Sequence, residues 1–116
     1  MRITIIMSER YNISAAQGST LLLNINCSNS NGSAINFSGY SVSGFVRYNY
    51  SSTGRLLNLN PSIYSAVSGI ITISGSAADM SSLNAGIYVY DIEARNGDYV
   101  FKPIAGYFAV DGEVTR

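Results

Sequence analysis

Apolar and polar residues alternate along most of the chain with a period of two. Over residues 19–27, Leu21, Leu23, Ile25 and Cys27 fall on one face and Asn24 and Asn26 on the other. That is the pattern of a half-buried strand. Residues 40–48 repeat it, with Tyr40, Val42, Gly44, Val46 and Tyr48 on one side and Ser41, Ser43, Phe45 and Arg47 on the other. Gly86 opens the clearest case: Tyr88, Tyr90, Ile92 and Ala94 point one way, and Ile87, Val89, Asp91, Glu93 and Arg95 the other. Shorter extended segments are predicted over residues 1–7, 11–14, 56–59 and 70–74. Residues 98–104 and 107–110 form the returning strand, with a bulge expected at Ala105-Gly106. Residues 76–83 suit one helical turn, too short to hold without packing.

Turn residues separate these segments. Gln17-Gly18, Asn29-Ser30-Asn31-Gly32, Ser51-Ser52-Thr53-Gly54 and Asn96-Gly97 supply the conformations tight reversals need, and Asn96-Gly97 is a strong hairpin signal. Seven or eight short strands with almost no helix predict an all-β fold, an antiparallel β-sandwich. Residues 1–116 read as a single domain, with 1–10 as an N-terminal extension or extra strand and 111–116 as a polar tail. Met7-Ser8-Glu9-Arg10 offers a second translation start, which would make the first six residues an extension. Ile3, Ile5 and Ile6 form a candidate interface. Two readings stay open for them: pairing with a neighbour's free sheet edge, or completing their own sheet.

Composition narrows the function classes. The 116 residues suffice for a core without covalent staples, and a lone cysteine, Cys27, excludes an intrachain disulfide. Cys27 is expected to behave as a small apolar core group. Charged residues make up 12% with net charge zero, which argues against an electrostatic nucleic-acid binder. No apolar run approaches the roughly 18 residues of a membrane span. The chain has no histidine, so serine–histidine and cysteine–histidine catalysis and histidine–cysteine zinc sites are excluded. Its only lysine, Lys102, sits in no phosphate-binding loop. No catalytic, cofactor-binding or metal-ligating residues are assigned, and no cofactor is expected. Asp91 and Glu93, two apart on one face, are read as a surface or contact face with Arg95 beside them rather than as an acid–base pair. Asp79, Asp98 and Asp111 match no calcium loop and are read as turn residues. Sparse charge suggests a surface meant to be covered. Among nine tyrosines, Tyr40, Tyr88 and Tyr90 fall on core faces, whereas Tyr48, Tyr50 and Tyr64 sit in or near loops and are candidate contacts to protein or carbohydrate.

Two resemblances add to this. Leu83-Asn84-Ala85-Gly86-Ile87-Tyr88 resembles the approach to the sixth strand of immunoglobulin-like domains. There a tyrosine hydroxyl bonds back to upstream backbone, which implies a structural corner at Leu83, Gly86 and Tyr88. Tyr90 stands where an antibody domain carries its second cysteine. The ordered set Gly18-Ser19-Thr20, Asn31-Gly32, Phe37-Ser38-Gly39-Tyr40, Val46-Arg47, Gly69-Ile70-Ile71-Thr72-Ile73-Ser74, Ala85-Gly86-Ile87-Tyr88-Val89-Tyr90-Asp91, Gly106-Tyr107-Phe108-Ala109-Val110 and Glu113-Val114-Thr115-Arg116 resembles small immunoglobulin-like virion structural proteins of tailed bacteriophages. It is similar in particular to the N-terminal domain of phage upper-baseplate proteins. The resemblance implies a non-enzymatic virion component that docks to tail or baseplate proteins, as a homo-oligomer in a symmetric assembly. Decoration of the head shell against the major capsid protein is a further possibility within that class. A host-surface adhesin that binds carbohydrate is the alternative from another class. Neither nucleic acid nor membrane is expected as a partner.

Overall fold

A computed structural model describes residues 2–6 (as backbone), 10–29, 31–51 and 54–112. It contains β1 (Arg2–Ile6), β2 (Ile13–Ala16), β3 (Leu21–Ser28), β4 (Ser41–Arg47), β5 (Leu57–Asn58), β6 (Ser62–Ser65), β7 (Ile70–Gly75), α1 (Ala77–Ser81), β8 (Gly86–Asn96) and β9 (Tyr99–Asp111). The strands form two sheets, one ordered β1-β3-β7-β6 and the other β2-β9-β8-β4-β5. The expected all-β sandwich is therefore present, and Cys27 is a free, buried thiol.

The alternating positions build the core. Leu23, Ile25, Cys27, Ile71 and Ile73 from the four-stranded sheet meet Val46, Tyr90, Ile92, Ile104 and Phe108 from the five-stranded sheet. Phe37 seals one end: its ring stacks on Phe101 and meets Tyr40 edge-on, each at 6.2 Å between centroids. Gly44 lies where a Cβ would meet Ile92 Cδ1 at 2.4 Å and the Asp91 carbonyl at 2.9 Å, so its bare backbone is what lets β4 and β8 close on Ile92.

The structure departs from the sequence reading at four points. It has nine strands among the described residues, because Ser62–Ser65 forms β6 against β7. Only Ile63 marks that segment as apolar and half-buried, too little for a periodic signal. Two pairings are parallel, β1 with β3 and β2 with β9. The chain joins both sheets within its first sixteen residues, and each of these short strands lies along a sheet edge. The β8–β9 bulge falls between Ile92 and Ala94, opposite Phe101–Ile104, and the ladder runs unbroken through Ala105 and Gly106. Pro103 in that stretch has no N–H to donate, which breaks the register there. The hairpin loop is Gly97-Asp98, one residue later than expected, closed by Asn96 opposite Tyr99. Gly97 carries φ 60°, the first-position glycine of a type II′ turn.

The predicted helical turn exists as α1. Ser76 caps it by accepting from the Asp79 N–H at 3.1 Å, and Met80 is fully buried beneath it. That burial holds five residues which propensity alone would not.

Candidate interaction surface

The outer face of the five-stranded sheet carries most of the chain's described charge. On β8, Asp91 and Glu93 project from this face, and each is engaged by a basic side chain. Lys102 Nζ lies 3.0 Å from Asp91 Oδ2, and Arg95 Nη2 lies 3.0 Å from Glu93 Oε1. The two carboxylates are thus neutralised separately by cations, an arrangement unlike an acid–base dyad sharing a proton. Asp91 is only 8% exposed although it faces outward, and its neighbour on the same side, Val89, is 7% exposed.

Alternation places Phe45 and Arg47 on the same face of β4, opposite Asp91 and Val89. The Arg55 guanidinium lies over the Phe45 ring, 4.1 Å from its centroid. Arg47 is half-buried, and its Nε–H has no hydrogen-bond acceptor. Arg10 bridges to Ala105 at the far side of the sheet. Its Nη1 donates to the Tyr50 hydroxyl at 3.1 Å, and that hydroxyl donates in turn to the Gly106 carbonyl at 3.2 Å.

The candidate contact residues do not gather into one patch. Tyr50 is tied to Arg10 and β9 as described. Tyr48, 64% exposed, packs its ring 5.7 Å from that of Tyr88 at one end of the sandwich. Tyr64 is exposed on β6, in the other sheet. Ile3, Ile5 and Ile6 pair by backbone with Ile25, Cys27 and Ser28, so β1 joins its own sheet, and their side chains lie outside the described residues. So do the alternative start at Met7, residue Ser30 of the first turn, Ser52 and Thr53, and residues 113–116 of the polar tail. Sequence reasoning missed Arg10, Arg47 and Arg55 as a group. They are distant in the chain, and only the order of strands brings them to one face.

The corner residues are placed as follows. The Tyr88 hydroxyl donates to the Asn84 carbonyl at 2.6 Å, Leu83 is buried, and Gly86 begins β8. Tyr90 donates to the Tyr11 carbonyl at 2.5 Å, tying β8 to the segment that runs beside β9. Burial pushes the Cys27 thiol up to about 12. Burial, with Tyr11, Tyr50 and Cys27 adding smaller effects, holds Tyr90 above the ordinary tyrosine range, and burial followed by Tyr48 raises Tyr88. These groups stay neutral and serve as packing and hydrogen-bonding elements.

A cleft of about 480 Å³ separates residues 11–16 from residues 19–23, where the edge of β2 faces the start of β3. Tyr11 is its only titratable lining residue, the remainder being apolar or bearing hydroxyl and amide groups. Among the described residues no three acidic or cysteine side chains converge as metal ligands. No helix there is long and apolar enough to cross a membrane.

The fold is similar to the N-terminal domain of phage TP901-1 ORF48. The likeness covers 96% of this chain and 99% of that domain, with a TM-score of 0.65 at 13% sequence identity. A family 123 glycoside hydrolase from Clostridium perfringens also overlaps, at 17% identity over 92% of this chain but 23% of the hydrolase. Its TM-score of 0.40 is too low to bear on fold or activity. No known family profile matches the sequence, and no curated protein does.

Proposed function

We propose that this chain is a non-enzymatic structural module of a tailed-bacteriophage virion, associated with the tail or baseplate and acting by docking to other virion proteins in symmetric copies. The observation that carries the reading is the near end-to-end likeness of the sandwich to a phage domain of matching extent. The ordered motifs that resemble upper-baseplate N-terminal domains point the same way. The thin charge, and exposed apolar and aromatic groups such as Leu22, Tyr64 and Ile87, fit a surface that works by being covered.

Quantitative mass spectrometry of purified particles tests it. A copy number that is a small multiple of the tail's rotational symmetry is the expected result. A count approaching that of the major shell protein would move the module to the head as a decoration protein. Absence from the particle would overturn the virion reading and leave the exposed tyrosines to be tested as a glycan-binding surface.

A further inference from the structure

All five described lysine and arginine side chains lie on the outer face of the five-stranded sheet. Arg47 and Arg95 sit there by strand alternation, Arg10 by its bridge to Ala105, Arg55 by its stacking on Phe45, and Lys102 by its ion pair with Asp91. Three of them, Arg10, Arg47 and Arg55, have no carboxylate partner among the described residues. Asp79 and Asp98 lie elsewhere, on α1 and the β8–β9 turn, and Asp111 ends β9. A chain of zero net charge therefore presents a locally basic face.

We propose that this face docks a carboxylate-rich protein segment, with Arg55, stacked on Phe45, and Arg47, two residues along β4 from it, as its anchors. The inference deepens the docking reading above and rests on it for the existence of a partner. Charge complementarity selects the occupant. A guanidinium offers parallel N–H groups that fit a carboxylate, and neither Arg47 nor Arg55 forms an ion pair with a described carboxylate. The Arg55–Phe45 stack holds a planar cation in place at low entropic cost, as in protein contact sites rich in arginine and aromatic residues. Asp91 and Glu93 occupy the middle of the face. They allow a segment whose carboxylates are spaced to reach the rim, and they repel a continuous phosphate backbone.

The test is titration of the isotope-labelled full chain with a decapeptide of alternating glutamate and serine, followed by amide chemical shifts. Expected are shifts confined to β4, β8 and β9 around Phe45, Arg47 and Asp91, with affinity falling as salt rises. The double variant Arg47→Ser/Arg55→Ser should weaken binding by at least about fivefold. Arg55→Ser alone, at an exposed position, serves if the double variant loses its fold. Ser62→Ala, exposed on β6 in the opposite sheet, should leave binding unchanged. Shifts scattered over both sheets, or an unaltered affinity in the arginine variants, would overturn the proposal. So would tighter binding of a ten-nucleotide single strand at the same face, or self-association through it. The purified chain is sufficient here, so failure of this test leaves the copy-number test of the virion reading untouched, and the reverse.

Discussion

The Tyr88 hydroxyl reaches four residues back to the Asn84 carbonyl and fixes how the chain enters β8. Tyr88→Phe removes the donor and leaves the ring. Urea denaturation should show a loss of about 1 kcal/mol with an unchanged m-value. Cys27 gives a pH signature. Its folded-state pKa, about 12, lies above the unfolded thiol's 9.0. Below pH 9 the thiol is protonated in both states and costs nothing. Above it the unfolded chain releases the proton first, so stability falls as pH rises, by up to about 1.4 kcal/mol per pH unit until pH 12. Tyr90 joins only above its ordinary value of 10.0. Cys27→Ala should therefore flatten the dependence between pH 9 and 10, read by denaturant midpoints across that interval.

At the scale of elements, the strands legible in the sequence are those whose residue types alternate over seven positions or more. In β3 and β4 burial follows that alternation, whereas β8 is legible from Asp91, Glu93 and Arg95 on its outer face although Val89 and Asp91 there are themselves buried. β6 escapes because it is a short edge strand defined by its pairing to β7, with Ile63 as its one half-buried apolar residue. The parallel placement of β1 and β2 was equally hidden, since strand direction depends on where the chain crosses between sheets and leaves no mark on periodicity. The same limit applied to the candidate site: Tyr48, Tyr50 and Tyr64 were identifiable as loop aromatics, whereas the arginine face exists only after β4, β8 and β9 are laid side by side. β2 itself depends on a close approach. A Cβ on Gly106 would stand 2.2 Å from the Tyr11 carbonyl oxygen, and the Tyr90 hydroxyl bonds that same oxygen. Gly106→Ala should push residues 10–12 off β9, raise amide exchange across β2, and destabilise the fold by about 1–3 kcal/mol.

For the molecule as a whole, both sheets feed one core, from Leu23 and Ile71 on one side to Tyr90 and Phe108 on the other. Neither sheet has a second hydrophobic layer among the described residues, so neither should persist without the other. Unfolding followed by tyrosine fluorescence and by far-ultraviolet circular dichroism should give coincident transitions; separated midpoints would contradict this. Refolding should fall in the millisecond-to-second range usual for sandwiches whose strands pair across long loops.

The four strands at the sheet margins are also the four shortest. β1, β2, β5 and β6 have five, four, two and four residues, whereas every interior strand has at least six. A bare margin is a template for cross-β growth, and its reach scales with the number of unpaired peptide groups it displays. Few rungs are on offer here, so a chain with little charge to keep its copies apart can be crowded without being drawn into fibrils. In the symmetric copies proposed above, recognition between neighbours would then be left to side chains, where a single substitution can rewrite it.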